Sequence, residues 1–350
     1  MHDTGTIKPI LRALRGEVQN VPPVWLMRQA GRYLAEYKTV RSRAPNFLEF
    51  CYSPDLAIEV TLQPIEKFGF DAAILFSDIL VIPDGLGQSV RFEEGVGPIL
   101  EPLRSIDEIE ALDTGRAADH LQPVMRSVSG IKKALDDRTA LIGFAGAPWT
   151  VALYMVEGRS GSEGETLRRW SYEDPAAIDR LMDKLVKATT RYLIDQIDHG
   201  AEVVQLFDSW AGLVADGFFT RWITGPTRRI VDGIRDVHPG VPVIGFPRNA
   251  GPRIEDYVRD TGVDGVGLDA GVPLGWARER LQTVAALQGN LDNQLAVVGG
   301  DAMDSAIDRI CETWGKGPFI FNLGHGIVPD TPPENVARLV ERVRMTRPAG

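Results

Sequence analysis

The chain contains little that would build a disulfide framework or a metal site. Its 350 residues include only two cysteines, Cys51 and Cys311, which lie far apart and fit no metal-type spacing. Such a pattern is typical of proteins kept in a reducing compartment. His, Cys and carboxylate residues also form no cluster along the sequence that would nominate a metal. We therefore expect no disulfide, no bound metal and a cytoplasmic location.

An excess of positive charge and a long apolar run are also missing. The net charge is −10 and the isoelectric point is about 5.1, whereas nucleic acids and anionic membranes bind basic surfaces. No apolar stretch is long enough to span a bilayer, and the first twenty residues hold no signal-like apolar segment. We expect neither partner, although a local arginine cluster could still bind a small anion. The free ends, Met1–Thr6 and Arg347–Gly350, are predicted to be mobile.

Common nucleotide fingerprints are absent as well. Neither G-x-G-x-x-G after the first apolar run nor G-x-x-x-x-G-K-[ST] occurs. Short β-type apolar runs recur instead, and several are continuously apolar, as in parallel strands buried on both faces. The runs are Val24–Met27, Ala72–Phe76, Ala140–Phe144, Glu202–Phe207, Val241–Phe246, Val263–Leu268, Val284–Gln288 and Phe319–Leu323.

Helical stretches separate these runs and have recognisable starts. Ser53 and Asp174 each precede a proline and resemble helix N-caps, and Thr331–Glu334 reads as a capping box. Pro64 should kink or end its helix early. About eight strands alternating with helices predict a single (β/α)₈ TIM-type barrel over residues 1–350, with a doubly wound open sheet as the alternative.

In a (β/α)₈ barrel the residues just after each strand converge on one mouth. The first run leads into R-Q-A-G-R at Arg28–Arg32. Each guanidinium offers a planar fork of donors that fits a carboxylate or phosphate, and Gly31 permits close backbone approach. This loop is a candidate anion site, and a solvated surface loop is the alternative.

Four further polar residues follow other runs: Asp78, Tyr154, Ser209 and His325. Each also has a purely structural interpretation. Asp78 and Ser209 could cap the helices that follow them, and Tyr154 could be a core aromatic whose hydroxyl needs a partner. His325 could be a turn residue, although the glycines on both sides expose its ring and favour contact with a ligand.

Taken together, these segments resemble the uroporphyrinogen decarboxylase family. The resemblance rests on R-Q-A-G-R-Y, F-S-D-I, G-A-P-W-T with Y-M-V-E-G, Q-L-F-D-S-W-A-G and N-L-G-H-G, which occur in the family's order at 28–33, 76–79, 146–158, 205–212 and 322–326. Asn293 is a small departure, because the family pattern has a proline there.

The resemblance implies a (β/α)₈ barrel and a homodimer with facing clefts. It further implies cofactor-free removal of the four acetate carboxyls of uroporphyrinogen III, giving coproporphyrinogen III and carbon dioxide in haem biosynthesis. Asp78 and Arg28 would be catalytic. The substrate-binding set would comprise Arg28, Gln29, Ala30, Gly31, Arg32, Asp78, Tyr154, Ser209 and His325.

These residue types suit the implied chemistry. Loss of carbon dioxide from an acetate arm needs an electron sink, and protonation of the adjacent pyrrole carbon supplies one within the substrate. An ionised Asp78 would bind the pyrrole N–H groups and stabilise the developing cation, while the arginines hold carboxylates. The proton donor stays open: Arg28 is a poor acid because the pKa of a guanidinium is far above 7, and a bound water is the plainer candidate.

Two other functions remain as alternatives. A cobalamin-linked methyltransferase of the same superfamily needs zinc held by His and Cys, but neither Cys51 nor Cys311 stands at H-x-C spacing from a histidine. A non-catalytic tetrapyrrole-binding protein could keep the arginines but would not need Asp78.

Overall fold

The computed structural model describes residues 7–93, 95–159 and 161–346. The two terminal segments predicted to be mobile lie outside these residues. The strands are β1 (Ala72–Ile74), β2 (Val90–Glu93), β3 (Gly97–Leu100), β4 (Ala140–Gly146), β5 (Val203–Asp208), β6 (Val243–Pro247), β7 (Gly265–Gly267), β8 (Ala286–Leu291) and β9 (Phe319–Leu323).

Seven of these strands form one parallel sheet in the order β1-β4-β5-β6-β7-β8-β9. Apart from β2 and β3, which lie between β1 and β4 in sequence, neighbours in the sheet follow one another along the chain, as expected for helical crossovers. Strands β2 and β3 pair separately as an antiparallel hairpin, which the sequence analysis missed. The parallel core places the carboxyl ends of all seven strands at one rim.

The segment Pro23–Trp25 closes the sheet into a ring. The Phe321 N–H donates to the Pro23 carbonyl at 2.8 Å, and the Asp71 N–H donates to the Val24 carbonyl at 2.9 Å. The segment thus bonds both to β9 and to the residue before β1. Its predicted run, Val24–Met27, makes only one β-bridge, because a proline before it lacks an N–H. The predicted (β/α)₈ barrel is confirmed, with an irregular first position.

Helices surround the ring and also cover one of its ends. They are α1 (Pro9–Leu14), α2 (Ala35–Arg41), α3 (Phe47–Cys51), α4 (Pro54–Phe68), α5 (Val81–Gly85), α6 (Ile106–Ala111), α7 (Thr114–His120), α8 (Gln122–Ala134), α9 (Pro148–Glu157), α10 (Glu165–Glu173), α11 (Pro175–Asp198), α12 (Asp216–Phe219), α13 (Gly225–Val237), α14 (Ile254–Thr261), α15 (Leu274–Arg280), α16 (Asn293–Val298), α17 (Gly300–Trp314) and α18 (Pro333–Met345). Across the described ranges, no helix combines the length and apolar character needed to cross a bilayer.

The predicted helix starts are only partly correct. Asp174 caps α11 by accepting from the Ala177 N–H at 3.1 Å. Ser53 stands at the N-cap of α4, but its hydroxyl donates to the Glu49 carbonyl instead. The capping box at Thr331 is wrong, because α18 begins at Pro333 after an N-cap proline that has no side-chain acceptor. Helix α4 also continues past Pro64 to Phe68.

The barrel interior is packed at the end where the strands begin. Ile10 and Leu14 of α1 cover this end and join a buried cluster with inward-facing strand residues. Above them, the Trp25 indole donates to Gln288 Oε1 at 3.0 Å, and Gln288 Nε2 donates to Gln205 Oε1 at 3.1 Å. Since this end is filled, the opposite mouth is the place left for a ligand.

Candidate active site

The loop after the first barrel position holds Arg28 in a rare conformation. Its φ is 63°, in the left-handed region that non-glycine residues seldom adopt. The loop is held from behind by Asn322, whose Oδ1 accepts from the Met27 N–H at 3.0 Å. Gly326 lies against the Arg28 side chain, where a Cβ would come within 2.5 Å of the Arg28 Cδ. Backbone strain of this kind clusters at functional sites.

Gln29 has a different place from its neighbours. Its side chain is 1 % exposed; Nε2 donates to the Ala72 carbonyl at 3.0 Å, and Oε1 accepts from the Leu26 N–H at 3.2 Å. The structure therefore does not bring the Gln29 amide to the mouth, and the amide instead ties the loop to β1. Ala30 and Gly31 are half-buried.

Arg28 and Arg32 are the exposed cations of this loop. Within the described chain, neither guanidinium forms an ion pair, whereas Arg12 and Arg43 in the same part of the sequence do. An unpaired guanidinium retains its donors for an external anion.

Asp78 follows β1 and is half-buried beside Arg28. Its Oδ1 accepts from the Leu80 N–H at 2.9 Å, and no described residue donates to Oδ2. Burial raises the pKa of the carboxyl, while the Leu80 N–H and the charge of Arg28 lower it. Helix α5 starts at Val81 with Leu80 at its N-cap, so the interpretation of Asp78 as that cap is wrong.

Tyr154 of α9 faces the same space from another side. Burial raises the pKa of its hydroxyl; the Trp210 indole N–H lowers it, the charge of Asp78 raises it and that of Arg28 lowers it. The Trp210 Nε1 is itself buried, and it lies near the Tyr154 hydroxyl in a geometry looser than that of a regular hydrogen bond. The Tyr154 hydroxyl therefore lies within reach of the charges of both Asp78 and Arg28.

Ser209 comes directly after β5 and is half-buried. It caps no helix, because the next helical turn, Ala211–Leu213, begins after Trp210 and lacks a side-chain cap. The preceding Asp208 is buried and accepts from the Thr150 hydroxyl at 2.6 Å. Burial raises the pKa of Asp208 to about 7, against the lowering effect of Thr150. Asp208 thus supports α9 beneath the mouth.

His325 follows β9 and lies over an aromatic floor. Its ring is 6.5 Å from that of Phe246, and Phe207 lies 6.1 Å from Phe246 and 5.7 Å from Phe144, centroid to centroid. Burial lowers the pKa of His325 to about 4, helped by the charges of Arg248 and Arg28. The imidazole is therefore neutral at physiological pH.

Comparison with known proteins identifies the family. The family model for uroporphyrinogen decarboxylase (URO-D) matches residues 6–346. A uroporphyrinogen decarboxylase from Rhodospirillum rubrum is 55% identical over 342 residues, covering 98% of each chain. The chain belongs to the uroporphyrinogen decarboxylase family. A second relative of the same name, from Brucella anthropi, is 50% identical over 96% of this chain and 98% of its own.

Solved structures of proteins with low sequence identity to this family member have a similar fold. A methyltransferase from Methanosarcina mazei superposes with a TM-score of 0.77 at 20% identity, over 96% of this chain and 97% of its own. A B12-independent methionine synthase from Shewanella has a TM-score of 0.58 at 8% identity, over 93% and 98%. These likenesses support the barrel alone. Residues 7–93, 95–159 and 161–346 contain no group of three His, Cys, Asp or Glu that could hold a metal.

Most predicted site residues of this uroporphyrinogen decarboxylase family member therefore meet at one mouth, Gln29 excepted. Sequence reasoning assigned no role to Trp210 or Arg248, which also lie there. The alternation of side chains along a strand could have placed Arg248 at the mouth. Residues two apart in a strand share a face, and Ser209 and Arg248 each stand two residues after an inward phenylalanine, Phe207 and Phe246.

Proposed function

We propose that this mouth is where the chain, a decarboxylase of porphyrin biosynthesis, removes carbon dioxide from the acetate arms of uroporphyrinogen, with Asp78 as the central group. The reaction class predicted from the sequence is confirmed by family membership. One observation carries the assignment of the site: Asp78 is half-buried beside Arg28 and has an oxygen that no described residue engages.

The chemistry assigned to Asp78 is electrostatic. A proton added to a pyrrole carbon makes the ring cationic. The bond between the acetate methylene and its carboxylate then breaks, and its electron pair moves into that ring as carbon dioxide leaves. A second proton, delivered to the methylene carbon, completes a methyl group, and loss of the first restores the pyrrole. The Asp78 carboxylate would accept from pyrrole N–H groups and stabilise the cation.

Arg28 keeps Asp78 suited to this role. Burial alone would favour the neutral carboxyl, whereas the guanidinium and the Leu80 N–H favour the anion. Arg28 and Arg32 would also bind substrate carboxylates, because their donors are unpaired within the described chain. The aromatic floor around Phe207 would support the face of the macrocycle, and Tyr154, Ser209 and His325 would donate hydrogen bonds to its side chains.

The protons are assigned to water. The pKa of a guanidinium is too high for Arg28 to release a proton readily, so we propose that both protons come from bulk solvent and reach the substrate through an ordered water held in the mouth. We propose that the reaction needs no cofactor.

The direct test is turnover by the purified chain. Uroporphyrinogen III is supplied in its reduced form without oxygen, and chromatography separates products with seven to four carboxyl groups. Coproporphyrinogen III should accumulate, before and after treatment with a strong chelator. Tight binding without release of carbon dioxide would support the tetrapyrrole-binding alternative, and activity restored only by zinc would contradict the cofactor-free reaction.

Three further expectations belong to this proposal. The chain would act as one domain over residues 1–350, as a homodimer whose clefts face each other, and in the cytoplasm. Sedimentation of the purified protein would test the dimer: a monomer at micromolar concentration, with full activity, would contradict it.

A further inference from the structure

Arg248 stands directly after β6, at a position that points toward the axis of the barrel. Ile244 and Phe246 belong to the inward-facing cluster, and strand residues two apart lie on the same face. Counting from the Pro23–Trp25 segment, β6 is the fifth of eight positions around the ring. It therefore lies opposite the position that carries Arg28.

The backbone around Arg248 is held on every side. Its N–H donates to the Asp208 carbonyl at 3.1 Å, and its carbonyl accepts from the Gly212 N–H at 3.1 Å. The next residue, Asn249, has a φ of 59° in the left-handed region, and its N–H donates to Asp269 at 2.9 Å. A side chain on such a support is preorganised, which lowers the entropy lost when it binds a ligand.

The Arg248 guanidinium has no ion pair with the described residues, although the side chain is half-buried. Asp269 is the acidic residue that follows the neighbouring strand β7, yet its two oxygens accept from the backbone N–H groups of Asn249 and Gly271. A half-buried cation without a counter-ion is unfavourable in the free protein. An anionic ligand would remove this cost.

The Asp269 carboxylate lies in this half of the mouth, but both of its oxygens are engaged by backbone N–H groups. The charges of Arg248 and Arg28 both act on the His325 imidazole, which is neutral near pH 7. Phe246, beneath it, is apolar. Asp78 acts on the opposite side, with Arg28. This half of the mouth therefore combines the Arg248 guanidinium with an apolar floor.

We propose that Arg248 is a specificity-determining residue that binds a substrate carboxylate on the side of the macrocycle away from the arm being decarboxylated. The inference rests on the proposed function of the mouth. With Arg28 and Asp78 at the reacting arm, Arg248 would hold a carboxylate that is kept in that step. It would contribute to binding in the ground state and transition state alike, and so affect KM rather than kcat.

The test compares Arg248→Gln, Arg248→Lys and Arg309→Gln with the unchanged chain. Arg309 is exposed on α17 and forms no ion pair with a described residue, so its variant removes the same charge elsewhere. Steady-state kinetics on uroporphyrinogen III give kcat and KM, and fluorescence quenching gives the Kd of coproporphyrin, a non-reacting tetracarboxylate.

Arg248→Gln should raise KM and the Kd of coproporphyrin about ten-fold, because a charge-assisted hydrogen bond is lost. Its kcat should change less than about three-fold. Arg248→Lys should recover most of the affinity, and Arg309→Gln should match the unchanged chain. Unchanged KM and Kd in Arg248→Gln, or a loss confined to kcat, would overturn the proposal. Failure of the unchanged chain to release carbon dioxide would instead contradict the proposed function.

Discussion

At the base of the barrel, where the strands begin, charged side chains are paired. Glu202, just before β5, accepts from Lys8 at 2.8 Å and from Lys132 at 2.9 Å, and also from the Leu141 N–H at 3.1 Å. At the mouth, Arg28 and Arg248 have no ionic partner among the described residues. Paired charges at one end stabilise the fold, whereas the unpaired charges at the other end retain donors for the proposed ligand.

A large cavity lies away from the proposed site. A cavity of about 720 Å³ opens at the base beside β6, β7 and β8. Several of its polar groups are already satisfied: Asp264 accepts from the Val243 N–H at 2.9 Å and pairs with Arg235 at 3.4 Å. Unpaired charges held in fixed positions therefore indicate the proposed site better than cavity volume does.

The largest effect should come from Asp78→Asn. Turnover of uroporphyrinogen III should fall about 10²–10³-fold, because the substitution keeps the shape and removes the charge that opposes the cation. The melting temperature should not fall, since a half-buried charge is replaced by a neutral amide. Steady-state kinetics and thermal unfolding measure the two effects. Near-normal turnover would remove the electrostatic role of Asp78.

The next effect should come from the arginine loop. Arg32→Ala should weaken substrate binding about ten-fold through loss of a charge-assisted bond. Arg28→Ala should harm turnover at least as much, because Arg28 also acts on Asp78. Arg28→Gly is a useful companion, since glycine adopts the φ of 63° without strain. If kcat/KM changed less than about two-fold in both alanine variants, the loop would be only a solvated surface.

Glu202→Gln, at the base, should lower stability and leave turnover normal, the reverse of the effects expected at the mouth. The free energy of unfolding at pH 7 should fall by about 1–2 kcal/mol, because two lysines lose their counter-charge. Burial raises the pKa of Glu202, but Lys8, Lys132 and the Leu141 N–H outweigh it and lower the pKa overall. The stabilisation by the Glu202 carboxylate is thus present at pH values above its pKa in the unfolded chain. It is lost as the pH falls through its lower pKa in the folded chain.

Urea titrations at pH 7 and in acid would measure this. The stability difference between the unchanged chain and Glu202→Gln should shrink as the pH falls below about 4. A constant difference would mean that packing, not charge, is lost. Impaired turnover at unchanged stability would contradict the division of roles between the two ends.

The smallest effect is spectroscopic. The His325 imidazole should titrate near pH 4 in nuclear magnetic resonance spectra, because burial and two arginine charges oppose its protonation. The unfolded chain binds this proton near pH 6.5, so His325 makes folding less favourable as pH falls from that value toward 4. His325→Gln identifies the signal. A midpoint at or above 6.5 would contradict the burial of the ring and the influence of the two arginine charges.

Several features of this protein followed from the sequence alone. The continuous apolar runs predicted the parallel strands, because a strand buried on both faces leaves no polar alternation. Their number and the helices between them predicted the barrel, and the motifs after the runs predicted the family. The rim is where parallel strands all end, so residues as distant as Arg28, Asp78 and His325 could be expected together without knowledge of any contact.

Tertiary structure decided the features that depend on partners far along the chain. The left-handed backbone of Arg28 is supported from nearly 300 residues away in sequence: Asn322 accepts from the Met27 N–H, and Gly326 leaves room for the Arg28 side chain. Gln29 turns inward to the Ala72 carbonyl, which no pattern within its own motif reveals.

Tertiary structure also decided which polar and charged groups lack a partner. Asp269 accepts from two backbone N–H groups and leaves Arg248 without a counter-ion, and Thr331 loses its capping role to the prolines that follow it. Sequence pattern reports which faces are buried, since burial follows the period of a strand or helix. Which polar group takes which partner depends on three-dimensional geometry, because each donor and acceptor chooses among neighbours that only the closed barrel brings together.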